Sequence, residues 1–209
     1  LDGTQTERAV ALGKLAREIN ANGKTFSESR PVKAQIALLY NPLSQMVGGS
    51  RRQTTDGHSN SLIGYYRYLT EQNIPVDFIH RKDLESGDLS QYKLIIVPYA
   101  LMFNKKAADG LKAFIQKGGY ADSEARFAWK EEHGNNSDVI PGLGLSEVFG
   151  VRETKVQTLK EVKMQVLDNS QPPMQYLKKD DSLTGSLFAE SLEPLHNAKV
   201  LATLDDGSA

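Results

Sequence analysis

The stretch KLIIVPYALMFNKKAADGLKAFIQKGGYADSEAR, Lys93–Arg126, decides the fold. Leu94 to Val97 form a short, unbroken apolar run, the pattern of a strand covered on both faces. Pro98 ends it, because proline has no amide to give to a sheet ladder. Asn104 is placed to cap a helix in which Ala107, Leu111, Phe114 and Ile115 recur at helical spacing. Gly118 and Gly119 supply the left-handed stop, and a further strand begins at Tyr120. A strand, a helix and a strand at this spacing make a βαβ unit, which closes right-handed in a parallel sheet.

Toward the N-terminus the same texture repeats. Ala34–Tyr40 (AQIALLY) is nearly continuous in apolar character and reads as a central strand. Asn41–Asn60 reads as a long polar loop holding Gly48, Gly49, Gly57 and the Arg51-Arg52 pair. Ser59, Asn60 or Ser61 then caps a helix with Leu62, Tyr65, Tyr66 and Leu69 on its buried face, and Ile74–Ile79 is the second strand. Arg81–Tyr92 is a charged connection. Residues 1–23 read as an amphipathic helix: Thr4 with Glu7 fits a capping box, Ala9, Leu12, Leu15, Ala16 and Ile19 form the stripe, and Asn22-Gly23 is a stop. Residues 24–33 are polar and read as a linker, so this helix is expected to pack on something outside the chain, such as a preceding domain.

Toward the C-terminus the pattern loosens. Tyr120–Ala125 is unusually polar for a buried strand; it is either short or pairs its polar groups at the carboxyl edge of the sheet. Arg126–Asn136 is charged and contains the sole tryptophan, and Val139–Gly150 carries glycine turns before a short helix at Leu145–Phe149. From Val151, alternation at Val162, Met164 and Val166 and again at Val200, Ala202 and Leu204 marks antiparallel strands, with a turn at Pro172-Pro173. The expected organisation is a lead-in helix and linker (1–30), an α/β domain (31–153) and a C-terminal β segment (154–209).

A chain of 209 residues can bury a core without staples. It contains no cysteine, which removes disulfides, thiolate metal sites and a cysteine nucleophile. With 25 basic and 26 acidic residues, no net field draws it to nucleic acid or anionic lipid, and no apolar run approaches a membrane span. It starts at Leu1 with neither an initiator methionine nor a signal-peptide pattern, as an excised or processed chain would.

Each candidate for chemistry has a structural reading beside it. An amidotransferase-like sheet would put a nucleophile after the fourth strand, where only Ser123 is available and no G-x-S-x-G surrounds it; Ser123 and Asp122 read better as polar residues at a sheet edge. Asp122, Glu124, Glu131, Glu132 and Asp138 could supply a glycosidase carboxylate pair, but solvated loops are rich in carboxylates, and Glu124 with Arg126 reads as a structural ion pair. Residues 44–58 match neither phosphate-binding glycine pattern and read as a surface loop. His58, His80, His133 and His196 are scattered without metal-ligand spacing, so no metal or cofactor is expected. Trp129 and Phe127, flanked by Arg126 and Lys130, offer a stacking surface for a sugar or partner, or a domain-interface anchor. Lys155, Lys160 and Lys163 alternating with Glu153 and Glu161 read as a solvated strand face.

Five stretches together carry a family resemblance: LDGTQTERAVALGKLAREIN, AQIALLYNPLSQ, YYRYLTEQNIPVDFIH, YKLIIVPYALMF and LKAFIQKGGYADSEARFAWKEEHGNNSDVIPGLGLSEVFGVRE. The run from Leu1 to Glu153 resembles the middle domain of family 42 glycoside hydrolases, the β-galactosidase trimerisation domain, and KVLATLDDGSA resembles a strand of that family before a returning hairpin. The resemblance implies a three-layer α/β fold with a mostly parallel amidotransferase-like or flavodoxin-like sheet, no nucleophile, a preceding TIM-barrel catalytic domain, and assembly with other subunits into a homotrimer. The family's catalytic glutamates belong to the barrel, so it implies no catalytic residue here. On this reading Arg126, Phe127, Trp129 and His133, beyond the fourth strand, are the expected partner contacts. The competing reading is a stand-alone amidotransferase-like or flavodoxin-like ligand-binding domain, with Ser123 or residues 44–58 as its site.

Overall fold

The computed structural model describes residues 4–50 and 57–209, with side chains 48–50 outside the description. The Arg51-Arg52 pair therefore lies outside the described residues. The chain divides into two compact units, residues 1–33 and 34–209.

In the first unit, α1 (Glu7–Ala21) is capped by Thr6, whose hydroxyl accepts the Ala9 N–H at 3.2 Å. The cap is thus Thr6, not Thr4, because the hydroxyl must stand three residues before the amide it accepts. The expected linker is partly helical: α2 (Gly23–Glu28) follows directly on Asn22. Neither helix buries a residue, and Leu12 and Leu15 on the apolar stripe of α1 are more than half exposed.

The second unit is built on four parallel strands: β1 (Ile36–Tyr40), β2 (Val76–His80), β3 (Leu94–Val97) and β4 (Tyr120–Ser123), in the order β2-β1-β3-β4. The near-continuous apolar strands β1 and β3 occupy the middle, and polar β4 is an edge of four residues. Successive side chains leave a strand on opposite faces, so Ala37, Leu39, Ile95 and Val97 meet one layer and Leu38 and Ile96 the other. The first layer is α5 (Arg81–Ser86) and α6 (Lys105–Gln116), which supply Leu84, Ala107, Ala108, Leu111 and Phe114. The second is α4 (Gly57–Glu71), with Leu69 buried and Leu62 and Tyr65 half-buried; Tyr66 instead lies outside, its ring 5.3 Å from that of Phe78.

Two segments read as connections are helical. Residues 42–50 of the expected loop form α3 (Pro42–Ser50), and α4 starts at Gly57, before the anticipated caps. The hydroxyl of Ser44 and the amide of Asn41 both donate to the Met102 carbonyl, which fixes the start of α3 to the segment after β3 through contacts no local pattern records. The charged connection after β2 opens with α5, capped by His80: its ring nitrogen accepts the Lys82 N–H while the Asp83 carboxylate accepts the His80 N–H. Where α5 and α6 meet, a Cβ at Gly110 would stand 1.9 Å from the Leu84 carbonyl oxygen, so only glycine allows the two helices to touch there.

After a short α7 (Ser146–Phe149), the chain forms an antiparallel sheet of β5 (Val151–Val166), β6 (Ser182–Pro194) and β7 (Ala202–Leu204), in the order β6-β5-β7, with a 3₁₀ turn at Pro172–Met174. Alternation located β7 and the end of β5. Strand β6 has no equivalent among the expected elements, since Gly185 and several serines and threonines interrupt its apolar alternation.

Candidate functional site

The polar β4 delivers its side chains to the carboxyl edge of the parallel sheet, where α/β folds place their functional surfaces. There a cleft of about 700 Å³ is lined by Ser61 and Tyr65 of α4, by Ser123 at the end of β4, by Tyr99 and Glu124 just beyond β3 and β4, and by Phe188 and Glu190 of β6. Tyr99 is the pivot. Its φ of +43° turns the chain sharply out of β3 and sends its N–H to Glu124 Oε2 at 2.9 Å. Its ring stacks on Phe188 with centroids 6.2 Å apart, and a Cβ on Gly57 would lie 2.8 Å from it. Gly57 therefore lets α4 start close against that ring.

Glu124 also accepts from the Ser61 hydroxyl, at 2.8 and 2.7 Å to its two oxygens, which ties α4 to the end of β4. Burial pushes the Glu124 carboxyl up from its ordinary value, and the hydrogen bonds from Ser61 and Tyr99 only partly offset it. Asp122 accepts from the Tyr65 hydroxyl at 3.0 Å. Burial likewise moves the Asp122 carboxyl upward, partly offset by its hydrogen bond from Tyr65. Burial and the two carboxylates together raise the Tyr65 phenol.

Arg126 does not pair with Glu124. The expected ion pair is corrected: β4 ends at Ser123, and a left-handed turn at Arg126, φ +65°, swings the guanidinium to Glu153 on β5. Both side chains are only 10% exposed, so Glu153 is also not the solvated residue that its alternation with lysines implies. The Arg126 N–H donates to Glu190 Oε1 at 3.1 Å.

The structure separates the four expected contact residues. Phe127 is 1% exposed and packs edge-on between Phe103 and Phe149, so it is a core residue with no surface to present. Trp129 is half-buried, with Arg126 and Lys130 over its ring at 4.5 and 4.7 Å. His133 stands exposed on a separate turn that Glu131 ties together by accepting the His133 and Asn135 N–H groups. Those backbone donors hold the Glu131 carboxyl below its ordinary value.

Chemically, the cleft holds braces between elements. Among the described residues no histidine lines it, so none stands as an imidazole base for Ser123 there. His58 is buried and accepts the Asn41 N–H, and His196 meets Glu147 at 3.1 Å. Among the described residues no group of three or more metal-ligating side chains converges, and no helix is long and apolar enough to cross a membrane. Sequence reasoning missed Tyr99, Ser61 and Glu190 as parts of this cluster; the Pro98 strand stop and the unexplained polarity of β4 were the available signals.

The family model described as the β-galactosidase trimerisation domain matches residues 34–209. The β-galactosidase GanA of Bacillus subtilis is 30% identical over 153 residues, which is 71% of this chain and 22% of that protein. The β-galactosidase LacZ of Heyndrickxia coagulans is 39% identical over 59 residues, 28% of this chain and 8% of its own length. A solved β-galactosidase from Bacillus circulans sp. alkalophilus superposes with a TM-score of 0.80 over 100% of this chain and 30% of that one, at 22% identity, which shows a shared fold. The chain thus spans less than a third of these proteins.

Proposed function

The chain belongs to the β-galactosidase trimerisation domain family, and from that premise we propose that it is the non-catalytic assembly domain of a β-galactosidase-type glycoside hydrolase, joining three copies and packing on a preceding barrel that carries the chemistry. The observation that carries this reading is the family match across 34–209. It agrees with a sheet edge whose acidic groups brace α4, β4 and β5. Within this reading α1 is the surface for the preceding domain, since Leu12, Leu15 and Ile19 of its stripe are exposed. Trp129, braced by two cations, and exposed His133 are the contacts toward another subunit.

Light scattering on the chain across a concentration series tests assembly. A mass near three chains, lowered by Trp129→Ala or His133→Ala, is the expected result. A monomer at every concentration would overturn self-assembly by this domain.

A further inference from the structure

The ribbon of β5 and β6 meets the loop after β4 at three buried or half-buried charged side chains. Arg126 comes from the loop, Glu153 from β5 and Glu190 from β6. One Glu153 oxygen, Oε1, is held by the Arg126 guanidinium. The other, Oε2, is buried and finds no donor among the described residues, while Glu190 stands on β6 two residues from Leu192, the ladder partner of Glu153. Glu190 Oε1 already accepts the Arg126 N–H. Arg126 therefore engages both carboxyl groups, Glu153 through its guanidinium and Glu190 through its backbone N–H, and a buried acceptor left without a donor is costly.

We propose that Glu153 and Glu190 share a single proton at neutral pH, so that Arg126, Glu153 and Glu190 form a proton-dependent clasp fastening the β5–β6 ribbon to the loop after β4. With the proton on Glu190, its hydroxyl donates to the Glu153 carboxylate, the one negative charge faces the one guanidinium, and the orphaned oxygen is satisfied. Without it, both carboxylates are charged while the guanidinium holds only Glu153. Burial and the Glu153 charge push Glu190 up to about 8. Among the described residues, the other ionisable groups lining the cleft are Glu124, just after β4, and the phenols of Tyr65 and Tyr99. The folded-state value lies above the unfolded one, so the proton's stabilisation is complete below the ordinary carboxylate range, about 4.3, and declines as pH rises toward about 8. The ribbon wall of the cleft should loosen over that window.

The test is a carbon-13 titration of the glutamate side-chain carboxyls in the whole chain, with unfolding followed at the same pH values. Glu190 is expected to titrate near 8, and Glu153→Gln, which places an amide donor opposite it, is expected to bring that midpoint down. Thermal stability of the parent chain should fall between about pH 5 and pH 8. Glu190→Gln should flatten that fall, and Glu124→Gln should leave the Glu190 midpoint in place. Amide protection, corrected for intrinsic exchange, should drop in β6 before β1 and β3. Titration of Glu190 in the ordinary carboxylate range overturns the proposal, as does a midpoint unmoved by Glu153→Gln. Both of these readings stand even if Glu190→Gln does not fold.

Discussion

Arg126 performs three tasks from one position: its guanidinium pairs with Glu153, its plane lies over Trp129, and its N–H reaches Glu190. Because the pair with Glu153 is nearly closed to water, truncating one partner leaves the other charge buried and alone. Arg126→Ala is expected to cost about 3–5 kcal/mol in denaturant unfolding. A loss of less than about 1 kcal/mol would place the pair with ordinary surface ion pairs. His133 is the opposite case. It is 79% exposed at the side chain, so His133→Ala should leave stability within about 0.5 kcal/mol while still reporting on assembly by mass. Glu124 and Arg126 sit two residues apart and yet serve different elements. Their spacing allowed an ion pair; the backbone turn at Arg126 excluded it, and a φ value is not written in residue types.

Among the elements, the contact between α5 and α6 depends most on a single side chain, the one missing at Gly110. A methyl there meets the Leu84 backbone carbonyl, which cannot move without shifting α5. Gly110→Ala is expected to cost about 1–3 kcal/mol by forcing the helices apart, read as a lowered unfolding midpoint. By contrast Thr6→Ala removes the α1 cap, worth about 1 kcal/mol to that helix. Since α1 buries no residue, the expected outcome is lost helical circular dichroism with little change in the unfolding midpoint. β1, β3 and α6 were legible because their apolar residues follow the period of the element they form. α3 and β6 were not. Contact with the Met102 carbonyl fixes Asn41 and Ser44 at the start of α3, and β6 is held along its length by pairing with β5, so neither needs a strong local pattern.

For the molecule as a whole, the family and the α/β architecture agree with what the sequence motifs imply. Trimeric mass in light scattering is the expected behaviour, and Trp129→Ala is expected to weaken it more than it weakens the fold, because the ring is only half-buried. By itself the sequence determined the parallel sheet, its central strands and the absence of a cysteine nucleophile. These follow from local periodicity, from turn residues and from composition. Only the tertiary structure decided that Phe127 is core, that Glu153 is buried, and that Ser61, Tyr99 and Glu124 converge on one cleft. Those facts depend on residues far apart in the chain meeting at a sheet edge, and burial of a charge is set by what folds over it rather than by its neighbours in sequence.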